Sequence, residues 1–507
     1  MNAHRPVIPG FYPDPSICRV RDTYYLVNSS FEYAPGVPIH RSTDLRTWEQ
    51  IGNVLDRPSQ LAVAPADPSG GVFAPTLRHH GGRFWMVTTN WSDGGGQLLV
   101  HAEDPAGPWS DPIRIPGALG IDPDLAWDDD GTCLMTYAGF GPGGSEGIVQ
   151  SAIDPLTGEV LEERRRLWNG TGGKFPEGPH LYRIGEWWYL LIAEGGTERG
   201  HAVTIARSRT PRGPFEAGPH NPLLTHRGTD RPVQNTGHAD LVERPDGTWA
   251  IVYHGVRPRG SSPEWHVLGR ETFADEISWT GGWPVPAGHL QPPVDEDRAV
   301  TEIWGGGTLP VGWMAASRFP SEISGPVHGG WQVIESDGAP VFLGRRQQHL
   351  YARVTARLDV EGRGGLSIRI DPRHALDVER EGNIVRAVWS VGDVRCVLAE
   401  RPVGDDEHLE IRLVPSDGHW TSTARGPDVV LAGVSGPDSF TELGRVDGRY
   451  LSTEVAGGMT GRMVGVAVTD GRVRVRSFTY TGSDLPLPDP TPGPRRVEKP
   501  APIWSPA

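Results

Sequence analysis

A unit of two or three short strands around a tight turn recurs five times between about residue 10 and about residue 285, and this repeat constrains the fold more than any other feature. The units begin Asp14-Pro-Ser-Ile, Phe73-Ala74-Pro-Thr-Leu, Asp122-Pro-Asp-Leu, Glu177-Gly-Pro-His-Leu and His238-Ala-Asp-Leu. Each start leads to a turn at Arg21-Asp22, Gly81-Gly82, Asp130-Gly131, Gly185-Glu186 or Asp246-Gly247, then to an aromatic-rich strand such as Phe84-Trp-Met-Val or Trp187-Trp-Tyr-Leu. Gly-Gly and Asp-Gly between apolar runs are strong hairpin signals. Five hairpin units without a long helix suit strands arranged radially about an axis, at a period of roughly 50–60 residues against the ~40–50 usual for propeller blades. The expectation is a five-bladed β-propeller over residues 1–290. A solenoid would show more even spacing and capping units.

Behind the repeat, residues 291–312 are rich in Pro and Gly and read as a linker. Residues 313–483 carry short alternating strands, such as Leu350-Tyr-Ala-Arg-Val-Thr-Ala-Arg-Leu and Leu409-Glu-Ile-Arg-Leu, which predict a β-sandwich. The Pro-rich residues 484–507 predict an extended or disordered tail. An all-β chain of two domains fits 507 residues with 67 Gly, 48 Pro and 18 Trp.

The net charge of −15 argues against nucleic acid or an anionic membrane as partner. Cys18, Cys133 and Cys396 make neither a disulfide framework nor a metal-ligand pattern, and read as buried free thiols in a reducing compartment. No apolar leader precedes Asp14, so the expected location is cytoplasmic. A homo-oligomer is compatible with all of this.

In a propeller the innermost strand of each blade lines the central channel, and its first residue sits near the mouth. Asp14, Ala74, Asp122, Glu177 and His238 are the five residues read at that level, bringing three carboxyls and an imidazole together from four blades. Polar blade starts also serve as turn caps, so the positions alone do not decide. The flanking prolines predict a stiff, extended backbone at Asp14. Asp122 or Asp124 could point inward; the phase of the repeat favours Asp122. Phe11, Tyr12, Phe31, Phe73 and Trp91 are the expected rim.

Three acids in an aromatic pocket suit cleavage of a glycosidic bond, in which one carboxyl must be protonated and another ionised. Burial and a neighbouring negative charge would raise Glu177 and make it the acid. Asp14 is the better base, and Asp122 would supply the charge that tunes and orients Glu177. A non-catalytic sugar-binding propeller is the rival of another class; it needs no carboxyl held protonated.

The stretches Phe11-Tyr-Pro-Asp14-Pro-Ser-Ile, Ala74-Pro-Thr-Leu, Asp122-Pro-Asp-Leu, Glu177-Gly-Pro-His-Leu-Tyr, Thr236-Gly-His238-Ala-Asp and Leu268-Gly-Arg270-Glu-Thr-Phe resemble the motifs of family-43 glycoside hydrolases, most closely the β-xylosidase branch with an appended β-sandwich. The resemblance implies an inverting exo-glycosidase that removes terminal pentose from xylo- or arabino-oligosaccharides, a β-xylosidase first and an α-L-arabinofuranosidase as alternative. It implies Asp14 as general base, Glu177 as general acid and Asp122 as the modulator of Glu177. Arg270, Phe31, Phe73, Ala74, Thr197 and His238 would surround the sugar. No cofactor is required, and a calcium at His238 is the one metal that the resemblance brings in. In such relatives a sandwich loop closes the pocket, often with Phe; this chain has Met459 and Met463 there.

Overall fold

The computed structural model describes residues 4–488 except 65, 95, 294–298, 306–307, 329, 335–337, 405, 417–424 and 437–438. Five four-stranded antiparallel sheets form the propeller. Their innermost strands are Ser16–Val20, Thr76–His80, Gly120–Trp127, Glu177–Ile184 and Gln234–Glu243. Each blade adds an outer fourth strand that the repeat did not suggest, such as Glu49–Leu55 or Trp283–Leu290. These strands are short or carry exposed polar residues, so they have little hydrophobic signature. At Gly81-Gly82 the backbone takes φ of 60° and 77°, as a two-residue hairpin with positive φ at both central positions requires.

The mouth of the channel is built by one device. Asp14, Asp122 and His238 all have left-handed backbones, with φ of 54°, 55° and 48°. The pairing register slips between Ile121 and Asp124, between Glu177 and His180, and between Gly237 and Asp240. A bulge at the top of the inner strand thus turns one residue inward. This corrects two expectations. Asp14 is not extended. In blade four the residue in phase with Asp14 and Asp122 is Gly178, with φ of 55°, and Glu177 stands one position earlier. Only glycine fits there, because a Cβ on Gly178 would press against the His238 ring at 3.0 Å.

Two residues further along each inner strand lies a second polar tier. Ser16 Oγ accepts from the Leu77 amide, Asp124 Oδ2 from the Leu181 amide and Asp240 Oδ2 from the Ile17 amide. The last of these, with Ser16 Oγ donating to Asp240 at 2.7 Å, joins blade five to blade one.

The second domain is a β-sandwich around two 21-residue strands, Tyr351–Asp371 and Met463–Ser483, which pair along most of their length and run through both layers. One half of this pair carries His408–Val414, the other His374–Glu381 and Val341–Arg346. Val300–Trp304, inside the expected linker, is a strand of this sheet, and Trp304 is buried in its core. Of the expected tail, Asp484 is engaged by Arg257 at 2.5 Å, and 489–507 lie outside the described residues.

The domains are joined by continuous structure. Tyr33 and Ala34 pair with Ala316 and Ala315 of the sandwich. Phe11, Phe31 and Tyr33 share a core with Met314, Phe342 and Met463. The fully buried Arg346 guanidinium lies 4.2 Å from the centre of the Tyr12 ring. Phe11 and Tyr12 are therefore interface residues and do not rim the mouth. Met463 likewise belongs to the interface.

Candidate active site

Asp14 is the most tightly held of the three acids. Arg270 Nη1 donates to its Oδ1 at 2.7 Å, Ser29 Oγ donates to Oδ2 at 2.6 Å, and His254 Nδ1 lies 3.0 Å from Oδ1. Burial favours the neutral acid, but Arg270, His238 and His254 outweigh it and hold the carboxyl well below the usual range. Asp14 is ionised. Ser29 and His254 were not foreseen. Each follows an apolar run in the second strand of its blade, at Val27-Asn-Ser29 and Val252-Tyr-His254, and a polar residue there was the only signal.

Glu177 sits on the wall of a cavity of about 720 Å³ that Phe175, Thr197, Asn235, His266 and Met459 also line. Burial and then the charge of Asp14 push its pKa up to about 7. Asp122 accepts a hydrogen bond from the Gly178 amide at 3.1 Å, which ties it to the residue beside Glu177. Its own pKa is driven well up by burial, by Glu177 and by Asp14. The charge that raises Glu177 thus comes from Asp14, whereas Asp122 had been expected to supply it. Asp124 points into the tier below, where Arg78 Nη2 meets it at 2.7 Å.

Arg270 precedes the strand Glu271–Thr280 by one residue. It pairs with neither Glu271 nor Asp240: Arg257 holds the first and Arg78 the second. Beyond Asp14 it reaches Thr197 Oγ1 at 3.2 Å and the Met459 carbonyl at 3.4 Å, with Phe31 beneath at 5.7 Å. Phe31 is buried; Phe73 stacks on the half-exposed Trp91 with ring centres 5.7 Å apart and 11° between planes. Ala74 is buried at the start of blade two, without the left-handed turn of Asp14, Asp122 and His238.

His238 Nδ1 is 3.6 Å from Asp14 Oδ1, with His254 and His201 close by. This donor set does not fit calcium, which takes six to eight oxygens. Around His238 the groups are mainly imidazole nitrogens, and the carboxylate of Asp14 is already engaged by Arg270 and Ser29.

The roof of the cavity comes from the sandwich. Gly461 lies against the backbone of Leu268 and Gly269, where a Cβ would fall 2.3 Å from the Leu268 carbonyl oxygen. The Arg462 amide donates to the Val267 carbonyl at 2.9 Å. The buried Arg462 side chain is clamped by Asp428 at 2.7 and 3.0 Å. The Met459 amide donates to Ser69 Oγ at 2.8 Å, and Glu454 meets His266 Nδ1 at 2.6 Å.

Residues 3–284 match the family model described as glycosyl hydrolases family 43. The chain belongs to that family. It is a glycoside hydrolase, and residues 327–480 match the model described as beta xylosidase C-terminal concanavalin A-like domain. The family-43 chain is 35% identical to a non-reducing end alpha-L-arabinofuranosidase of Bacteroides ovatus over 91% of this chain and 90% of that one. It is 48% identical to a xylosidase/arabinosidase of Butyrivibrio fibrisolvens, over 56% of each. A solved xylan beta-1,4-xylosidase of Bacillus halodurans superposes with a TM-score of 0.82 at 28% identity, covering 94% of this chain and all of that one (100%).

Proposed function

We propose that this enzyme is an inverting exo-glycosidase that removes a terminal pentose from oligosaccharides, with a β-xyloside as the first substrate. The observation that carries the reading is the contrast between two acids at one mouth: Asp14, ion-paired to Arg270 at 2.7 Å and held well below the carboxylate range, and Glu177, raised to about 7 by burial and the charge of Asp14. Asp14 takes a proton from water as its oxygen attacks the anomeric carbon. Glu177 gives its proton to the departing glycosidic oxygen, whose bond to the sugar breaks. Inversion requires the two carboxyls about 6.5–9.5 Å apart, so that water fits between them. Asp122, which accepts from the Gly178 amide beside Glu177, orients that acid. Arg270, already ordered by Asp14 and Thr197, offers its remaining donors to the hydroxyls of the terminal sugar. The sandwich loop at Met459 roofs the cavity, which supports action at a chain end. No cofactor enters the scheme.

A second reading, α-L-arabinofuranosidase, is supported by the arabinofuranosidase of Bacteroides ovatus, which matches along nearly the whole chain. Initial rates on aryl β-xyloside and aryl α-L-arabinofuranoside separate the two, and a large preference for the arabinoside overturns the xylose reading. Product anomers followed by NMR test inversion. A cytoplasmic location is supported by three free thiols, of which Cys18 and Cys133 are buried; Cys396, expected to be buried, is exposed.

A further inference from the structure

We propose that His4, Asp275 and His289 form a binding site for a zinc-class transition metal that pins the N-terminal segment to blade five. Asp275 and His289 face each other across strands Glu271–Thr280 and Trp283–Leu290, where they are register partners. His4 reaches them because the N-terminal segment runs beside the first of these strands, with the Val7 amide donating to the Thr272 carbonyl at 2.8 Å.

The three side chains converge on a single oxygen. His289 Nδ1 lies 2.8 Å and His4 Nε2 3.6 Å from Asp275 Oδ1, and the three ligand atoms fall within 4.8 Å of one another. Ligands around a tetrahedral zinc, at about 2.0–2.1 Å from the ion, stand about 3.3 Å apart. The two spacings to Asp275 Oδ1 straddle that value, so with a reorientation of the side chains an ion can take the place of the His289–Asp275 hydrogen bond. Two imidazoles and one carboxylate are a donor set for zinc, cobalt or nickel, not for calcium.

The surroundings meet further requirements of a metal site. Tyr253 Oη donates to Asp275 Oδ1 at 3.2 Å and lies 3.3 Å from His4 Nε2, which fixes both ligands. The imidazoles of His4 and His289 stack with centres 3.6 Å apart, so the half-exposed His289 ring must tilt out of the stack for both nitrogens to face one ion. His4 and Asp275 are buried, whereas His289 is 37% exposed and leaves an entry path from solvent. The nearby cation, Arg231, is occupied by His226 Nε2 at 2.9 Å. None of these residues belongs to the carboxyl site, so the metal acts on stability.

The test uses the full chain without a polyhistidine tag, treated with chelator and titrated with Co²⁺ and then Zn²⁺. The expected result is one equivalent of Co²⁺ with tetrahedral absorption bands and a Tm raised by Zn²⁺. His289→Ala, at a half-exposed position, should weaken Co²⁺ affinity at least tenfold and abolish the Zn²⁺ shift, with kcat unchanged. Absence of binding by the wild type at millimolar metal overturns the proposal. So does unaltered binding by His289→Ala, which would place the ion elsewhere, for example among the channel histidines.

Discussion

Two tiers of carboxyls stand on the same inner strands, two residues apart, and they are treated in opposite ways. In the lower tier Asp240 accepts from Ser16, Ile17, Tyr182 and Arg78, and Asp124 accepts from the Leu181 amide and meets Arg78. Arg78 lies between the two acids and His180, with a pKa held above its usual value. In the upper tier only Asp14 is directly paired with a cation; Asp122, buried, and Glu177, half-buried, have raised pKa values and feel only the Arg270 that Asp14 already engages. Sequence places Asp122 and Asp124 in one Asp-Pro-Asp stretch, yet one stands in the upper tier beside Glu177 and the other in the ion-paired tier below. What separates them is whether the surroundings neutralise the charge, since uncompensated buried acids mark functional sites.

The comparison can be broken most directly at Asp14 and Asp240. Asp14→Asn should lower kcat by about 10³-fold or more, the scale of losing a general base. Among the described residues Asp122 has no direct ion pair, and asparagine tolerates its left-handed backbone, so Asp122→Asn should cost less in thermal unfolding than Asp240→Asn; equal losses of stability would erase the distinction. Asp240→Asn breaks a buried ion pair that also joins the first and last blades. Its cost should be about 3–5 kcal/mol in denaturant titration, the usual scale for removing one partner.

A finer test uses pH. Glu177 must be protonated, so kcat/KM should fall as pH rises through about 7, while the acid limb, set by Asp14, lies below the usual carboxylate range. Glu177→Gln should remove the alkaline limb on a substrate whose leaving group needs no proton; a limb that persists would assign it to another residue. Asp240 contributes in the opposite sense. Its pKa, depressed to about 2, gives stability that is full above the unfolded value of about 3.9 and is lost as pH falls toward 2. Asp240→Asn should flatten that part of the unfolding profile. The smallest effect is expected at Met459→Ala, a few-fold rise in KM with kcat nearly kept, since it trims the roof and leaves both acids in place.

Much of this was legible before the structure. Asp-Gly and Gly-Gly turns marked the blades, and the repeat led to Asp14, Asp122 and Glu177 even though Glu177 is one residue out of phase. That offset was hidden because a bulge consumes a residue without changing the pattern of apolar positions. Ser29, His254 and the Arg78 clamp come from second strands or from a neighbouring blade, and nothing local signals contacts across such distances. The role of Phe11 and Tyr12 was misread for the same reason: aromatic residues beside a carboxylate at a channel mouth look like a pocket until a second domain is seen to cover them.

The Met459 loop has a consequence for how the enzyme's preference can change. Chemistry resides in one module and the ceiling over it in another, joined where Gly461 touches Leu268 and Gly269. A new ceiling can be fitted by altering a few positions around Met459, whose side chain carries no charge and which meets Arg270 only through its backbone carbonyl. Such an arrangement lets the choice of sugar drift while the machinery that cuts it stays the same.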